Sequence, residues 1–253
     1  MINNILLDAI RHARIIFRGK TTNKTYYNTE HLNKIKRKKY SIERVRERED
    51  RHDKFLDRIF KIKNITKKYD YFLSRSRNYR WHNQSLIGNC GELSISALCY
   101  LAQQRSQDLL NWVINSGKRN IENKTTAIYI LNIEFINPYD HMSTVILFPE
   151  NNQNLPKINK IYHSYDDLPD NSWVCDPWAN IVCQYREYHS QWRNKMDKWN
   201  SVGKSASIYQ DEQLEDYPSP LTLNNYNAII RIPKKVINMA MIFPDGKIEI
   251  KQR

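Results

Sequence analysis

Apolar residues recur at helical spacing in several separate stretches of this chain. In residues 3–17 they fall at Ile5, Leu6, Ile10, Ile15 and Ile16, which predicts a short amphipathic helix. Ser41 is a suitable N-cap, and the segment after it alternates both charge signs before an apolar face appears at 55–62. The same spacing predicts helices at 90–101, 107–113 and 185–200.

Other stretches change to the pattern of strands. Residues 125–136 and 143–148 are rich in β-branched and aromatic residues and flank a turn at 137–140, which predicts an antiparallel hairpin. Further strands are predicted at 172–175, 227–232 and 236–243, and a turn at 244–246 leads the last of them into 247–251. The pattern predicts an α+β fold in which helices pack on an antiparallel sheet.

Three segments lack a regular spacing of apolar residues. Residues 18–40 resemble a loosely packed connector, and residues 149–172 and 201–222 resemble long polar loops. Within the second segment, residues 161–163 are apolar enough for a short strand.

Charge divides the chain unevenly. The net charge is +13, and residues 1–80 hold 23 Lys and Arg against 9 Asp and Glu, so the whole excess lies there. We therefore expect a basic, mainly helical N-terminal extension over 1–75 and a near-neutral domain over 76–253. Acidic lipid or an acidic protein surface would suit the extension. Nucleic acid is less favoured because the chain has no recognised nucleic-acid motif, and a solvated helical face is the alternative.

The cysteines and the N-terminus limit the class of protein. The four cysteines show no pair with the spacing of a zinc knuckle or redox motif, so we expect reduced thiols and no metal or other cofactor. Residues 1–8 have no basic region before their apolar run and do not resemble a signal peptide, and no stretch is long enough to span a bilayer. We expect a soluble protein of a reducing compartment.

The stretch 84–93 is the strongest candidate for chemistry. Cys90 lies between Gly88 and Gly91 and directly precedes helix-forming residues, which places it at the start of a helix. Unpaired backbone N–H groups and the helix dipole favour a thiolate there, and the same N–H groups can stabilise an oxyanion. The alternative is a small buried residue, which is the common role of a free cysteine.

Two further polar residues lie at the edges of predicted elements. His141 begins a strand and Asp176 ends one, so both side chains can meet Cys90 at one rim of the fold. A thiol nucleophile needs a base, and the base needs a third group to orient it. Each residue also has an ordinary explanation, His141 as a surface turn residue and Asp176 as a strand terminator before Pro177.

Residues 88–92, 140–145 and 173–179 together resemble the papain-like cysteine protease superfamily, and in particular its divergent members that bacteria secrete into host cells. The resemblance covers about residues 80–185. It implies a papain-like α+β domain, a Cys90–His141–Asp176 triad, and an oxyanion contact from Gln84, six positions before the nucleophile. The aromatic residue that usually follows the nucleophile is missing, and Asp replaces the usual Asn, as in transglutaminases and several effector deamidases.

Neighbouring residues complete the expected site. We expect Asn89, Gly91 and Trp178 to contact substrate, although a large aromatic such as Trp178 also suits a core. Glu92 is expected to cap the helix. The rival bases are His52, His82, His163 and His189, and His141 is preferred because a strand anchors it.

These observations predict a thiol-dependent hydrolase that acts on an amide of a host protein, with a cysteine protease first. A glutamine deamidase or transglutaminase on the same fold is the alternative, and a non-enzymatic basic module that binds nucleic acid or acidic lipid is the second. The resemblance also implies delivery into a host cytosol without a signal peptide.

Overall fold

In this computed structural model, the structure describes residues 2–26, 29–30, 32–78, 85–115, 126–136, 141–150, 154–210, 213–217 and 233–253. The predicted turn at 137–140 and the predicted strand at 227–232 lie outside these ranges. Within them the fold is α+β, with seven α-helices and an open antiparallel sheet.

Five of the seven described helices lie close to predicted positions. They are α1 (Ile2–Ile16), α2 (Lys34–Lys39), α3 (Ile42–Ile59), α4 (Ile65–Asn78), α5 (Cys90–Gln104), α6 (Ser106–Asn115) and α7 (Tyr185–Asn200). The predictions for α1, α3, α5, α6 and α7 are confirmed, and Ser41 occupies the N-cap position of α3, whereas α2 and α4 were not predicted. None of the helices in the described part of the chain is long and apolar enough to cross a membrane.

The main sheet forms the centre of the fold. The strands are β1 (Lys24–Tyr26), β2 (Ile128–Phe135), β3 (Met142–Leu147), β4 (Ile161–Tyr162), β5 (Trp173–Asp176), β6 (Ile181–Gln184), β7 (Lys204–Gln210), β8 (Gln213–Tyr217), β9 (Lys234–Ile242) and β10 (Ile248–Gln252). The main sheet has the order β10-β9-β2-β3-β5-β6, with β4 also pairing with β9, and β1-β7-β8 form a second sheet. The predicted β2–β3 and β9–β10 hairpins are confirmed.

Two of the segments without regularly spaced apolar residues contain secondary structure. Residues 18–40 contain β1 and α2, and residues 201–222 contain β7 and β8, so those loop predictions are wrong in part. β1 pairs antiparallel with β7, with Lys24 opposite Ala206. β1 depends on a partner about 180 residues away, which no local pattern reports, whereas β7 also pairs with β8, the next strand in sequence.

The expected N-terminal extension is not confirmed, because α1 lies in the main core. Its buried residues Ile5, Leu6 and Ile10 belong to the same apolar cluster as α5 and the central strands. Phe55 of α3 and Phe72 of α4 join this cluster. Many basic residues of α1, α3 and α4 therefore lie on the outer faces of helices whose apolar faces are buried, whereas α2 buries none of its residues.

Close packing fixes the segment between α1 and α5. Gly19 N–H donates to Leu86 O at 2.8 Å, and Gly88 N–H donates to Lys20 O at 3.3 Å. A Cβ at Gly88 would lie 2.6 Å from the Phe17 ring, whereas a Cβ at Gly91 would meet no atom within 4 Å. The start of α5 is thus closely packed at Gly88 and open at Gly91.

We expect Gly88→Ala to lower the free energy of unfolding by about 1–3 kcal/mol, because the methyl group overlaps Phe17. Gly91→Ala is the matched control and should raise the free energy of unfolding slightly, because alanine favours the helix. Urea unfolding of both variants measures the difference. Equal effects of the two substitutions would contradict this packing.

Candidate active site

Cys90 is the first residue of α5, as the sequence predicts. The backbone N–H of Asn89 donates to Glu92 Oε2 at 2.7 Å, so the predicted capping role of Glu92 is confirmed. His52 Nε2 lies 3.6 Å from the same carboxylate oxygen. Burial alone would raise the pKa of Glu92, but His52 and the backbone hydrogen bonds hold it below its ordinary value.

Asn89 and Gly91 differ in their surroundings. The side chain of Asn89 accepts from Thr22 N–H at 3.0 Å and donates to Thr22 Oγ1 at 2.9 Å, so it ties the segment before β1 to the start of α5. A substrate contact to Asn89 stays a prediction and would have to displace Thr22. Gly91 faces open space, which leaves room for a substrate beside Cys90.

The start of α5 packs against the start of β3. Ser94 Oγ donates to Met142 O at 3.0 Å, and Thr144 Oγ1 donates to Ser94 O at 3.2 Å. Cys90 lies one turn before Ser94 on the same helix face, and His141 directly precedes Met142. These bonds therefore bring the buried Cys90 and the buried His141 into the same region of the fold.

His141 and Asp176 form a direct buried pair. Strand β3 pairs with β5, with Thr144 opposite Cys175, and this register brings the residue before β3 to the end of β5. His141 Nε2 donates to Asp176 Oδ2 at 2.9 Å. Nδ1 is then the ring nitrogen left for another partner, which is the arrangement that a base oriented by a carboxylate requires.

Asp176 is fully buried and accepts hydrogen bonds from three of the described residues. Oδ2 accepts from His141 and from the Tyr188 hydroxyl at 2.8 Å, and Oδ1 accepts from Ala179 N–H at 2.8 Å. Burial would raise the pKa of Asp176, but His141 and these hydrogen bonds hold it below its ordinary value. Asp176 therefore stays an anion that can stabilise an imidazolium.

Aromatic rings enclose His141. The ring centroids of Phe135, Trp178 and Trp192 lie 5.2, 5.2 and 5.1 Å from the imidazole centroid. Trp178 Nε1 donates to Asn23 Oδ1 at 2.9 Å, and only 5% of Trp178 is exposed. Trp178 thus lies beside His141 and is buried, and its role in substrate binding stays a prediction.

Lys24 is a residue of this region that the sequence analysis missed. Its Nζ donates to Trp178 O and lies 4.1 Å from the centroid of the Trp178 ring. Burial holds the pKa of Lys24 well below its ordinary value, while the negative charges of Asp176 and Cys90 oppose that shift. A single lysine in a basic segment gives no sequence signal for this position.

The rival bases differ in their surroundings from His141. His52 faces Glu92, His163 is exposed, and His189 is half-buried on α7, where burial and Arg193 lower its pKa. His82 and Gln84 lie outside the described residues. The oxyanion role of Gln84 accordingly stays a prediction.

The other three thiols are buried, and burial is the main cause of their pKa shifts. Burial raises the pKa of Cys99 and of Cys183 to about 12, and that of Cys175 is raised further. Such thiols react slowly at neutral pH because little thiolate is present.

Comparisons with protein-family models, curated proteins and solved structures found no match for this chain. The papain-like resemblance therefore stays a proposal. Among the described residues, no group of three or more His, Cys, Asp or Glu side chains could hold a metal ion.

We expect Tyr188→Phe to lower the free energy of unfolding at pH 7 by about 1.5–3 kcal/mol, because it removes a hydrogen bond to a buried carboxylate. Because the pKa of Asp176 is lowered in the folded state, its ionised carboxylate stabilises the fold at pH values above the ordinary pKa of 3.8. This contribution is lost as the pH falls below that value, so the effect of Tyr188→Phe should shrink there. Urea unfolding at pH 7 and pH 3 measures both effects.

Tyr162→Phe is the control, because Tyr162 is equally buried and its hydroxyl makes no hydrogen bond within the described part of the chain. An equal loss of unfolding free energy in the two variants would contradict the role given to Tyr188. A loss for Tyr188→Phe that does not change with pH would also contradict it.

Proposed function

We propose that this protein is a thiol-dependent hydrolase that acts on an amide of a protein substrate through Cys90, His141 and Asp176. The observation that carries the proposal is the buried His141–Asp176 pair, at 2.9 Å, beside the helix start that holds Cys90. A carboxylate that holds one nitrogen of a buried imidazole leaves the other nitrogen to act as a base.

The reaction would follow from these positions. His141 Nδ1 takes the proton of Cys90, and Sγ attacks the substrate carbonyl carbon. The Cys90 N–H and Gln84 donate to the oxyanion of the tetrahedral intermediate. His141 then gives its proton to the leaving amine, and the carbonyl group stays on Sγ as a thioester. Water, deprotonated by His141, attacks the thioester, releases the acid and returns the proton to the thiol.

The nature of the amide decides among three related activities. A backbone amide gives proteolysis, a glutamine side chain gives deamidation, and an amine in place of water gives transglutamination. We place the protease first because of the position of Gln84 in the sequence, and the resemblance favours a host protein as substrate.

A non-enzymatic basic binding module is the second candidate. The cationic side chains of Arg14, Arg18 and Lys20 line neighbouring cavities and support it. In that case Cys90 would be an ordinary buried residue.

We expect iodoacetamide at pH 7 to modify Cys90 of the folded protein much faster than Cys99, Cys175 and Cys183, because the pKa values of those three thiols are raised. His141→Ala should slow the modification of Cys90 by about a hundredfold, because the base is lost. Peptide mass spectrometry of timed samples measures each rate.

His163→Ala is the matched control, because this histidine is exposed and lies outside the site. It should leave the rate at Cys90 unchanged. Equal, slow modification of all four cysteines would instead favour the binding module.

We expect host-cell proteins incubated with the wild type to acquire a covalent change that is missing with Cys90→Ala. A cut chain identifies a protease, a mass gain of about one dalton a deamidase, and a cross-link a transglutaminase. Quantitative mass spectrometry of both samples separates these outcomes. Identical samples with the wild type and Cys90→Ala, over a range of host lysates, would contradict the enzymatic proposal.

A further inference from the structure

A cationic cavity of about 280 Å³ lies beside the candidate site. It is bounded by the end of α1, the segment through β1, the turn after β5, α7 and the start of β7. Six cationic side chains line it: Arg14, Arg18, Lys20, Lys24, Lys195 and Lys204. No Asp or Glu is among the described residues that line it.

The cations of this cavity contact neutral groups. Arg14 Nη1 donates to Asn180 Oδ1 at 2.6 Å, and Arg18 Nε donates to Ile15 O at 3.2 Å. Lys204 Nζ lies 5.4 Å from the Trp199 ring centroid, a cation–π contact. Within the described ranges none of the six side chains forms an ion pair, and the buried Asp176 carboxylate is a single negative charge that acts on Lys24 and Lys195.

This accumulation of charge opposes folding of the protein without a ligand. Burial lowers the pKa of Lys20, Lys195 and Lys204, and the neighbouring cations lower each pKa further. An anion in the cavity would offset the repulsion between the cations, because it would attract all of these groups at once.

The cationic surface continues next to this cavity. A second cavity, of about 620 Å³, shares Arg14, Arg18 and Lys20 and is also lined by Lys38 and Lys39. The described acidic residue that lines it is Glu47, which pairs with Arg44 at 2.6 Å. A ligand that fills the first cavity can therefore extend further charge toward α2 and α3.

We propose that the cavity lined by Arg14, Arg18, Lys20, Lys24, Lys195 and Lys204 binds a compact ligand that carries several phosphate groups. Even without Lys24, whose pKa burial holds well below its ordinary value, five cations exceed what one carboxylate can neutralise, and lysine and arginine are the usual phosphate contacts. The volume suits a small molecule and excludes a nucleic-acid duplex. A free polyphosphate and a phosphorylated lipid headgroup share this chemistry. The proposal does not depend on the proposed reaction of Cys90.

Titration of the wild type with sodium tripolyphosphate tests the proposal, followed by calorimetry and by tryptophan fluorescence, since Trp178 and Trp199 line the cavity. We expect saturable binding. Lys195→Gln with Lys204→Gln should weaken it by at least about tenfold. The matched control is Lys61→Gln with Lys157→Gln, which removes the same charge at exposed positions outside the cavity and should leave the dissociation constant unchanged.

Two further samples guard against misfolding and separate this result from the proposed activity. Arg18→Gln with Lys195→Gln moves one of the two changes from β7 to the segment after α1 and should weaken binding similarly, while thermal unfolding without ligand confirms that each variant folds. Cys90→Ala should bind tripolyphosphate like the wild type, whether or not the protein is an enzyme.

Vesicle sedimentation identifies the source of the phosphates. Binding to phosphatidylinositol bisphosphate vesicles, but not to phosphatidylserine vesicles of equal charge, assigns a lipid headgroup, and binding to neither assigns a free polyphosphate. The absence of saturable tripolyphosphate binding would overturn the proposal. Equal weakening in the cavity variant and its control would also overturn it, because a diffuse basic surface would then explain the binding.

Discussion

The buried carboxylate of Asp176 is the constraint on which the rest of this site depends. A fully buried anion is strongly destabilising unless donors surround it. Three donors surround this carboxylate: His141 just before β3, Tyr188 on α7, and the backbone N–H of Ala179 in the turn after β5. The order of β3, β5 and β6 in the sheet and the position of α7 are all needed to satisfy this one group.

The thiol is held by a second set of contacts, between α5 and the sheet. The carbonyl of Ser94 accepts from Asn132 and Thr144, and its hydroxyl donates to the chain next to His141. Asn132 lies where the pairing of β2 with β9 shifts register, and it also accepts from Asn238. Such buried polar networks specify one position of a helix on a sheet more narrowly than apolar contacts do. Thr22 completes this arrangement by joining the N-terminal segment to Asn89.

The sequence was most informative where a residue's role follows from local pattern. Cys90 at a helix start, His141 before a strand and Asp176 at a strand end could be recognised because apolar periodicity marks the edges of those elements. Lys24, Ser94 and Tyr188 could not, since their roles depend on contacts between distant segments. The same limit explains β1, which pairs with β7 far along the chain. The summed charge of the first third was also misleading, because it does not show that α1 buries Leu6 and Ile10.

The central claim is that Cys90, His141 and Asp176 act as one unit. The most direct measurement is the second-order rate constant for iodoacetamide at Cys90 in the wild type, His141→Ala, Asp176→Asn and the double variant. If Asp176 acts only through His141, the double variant should react no more slowly than His141→Ala alone. Independent effects, with the two losses multiplying in the double variant, would contradict the account.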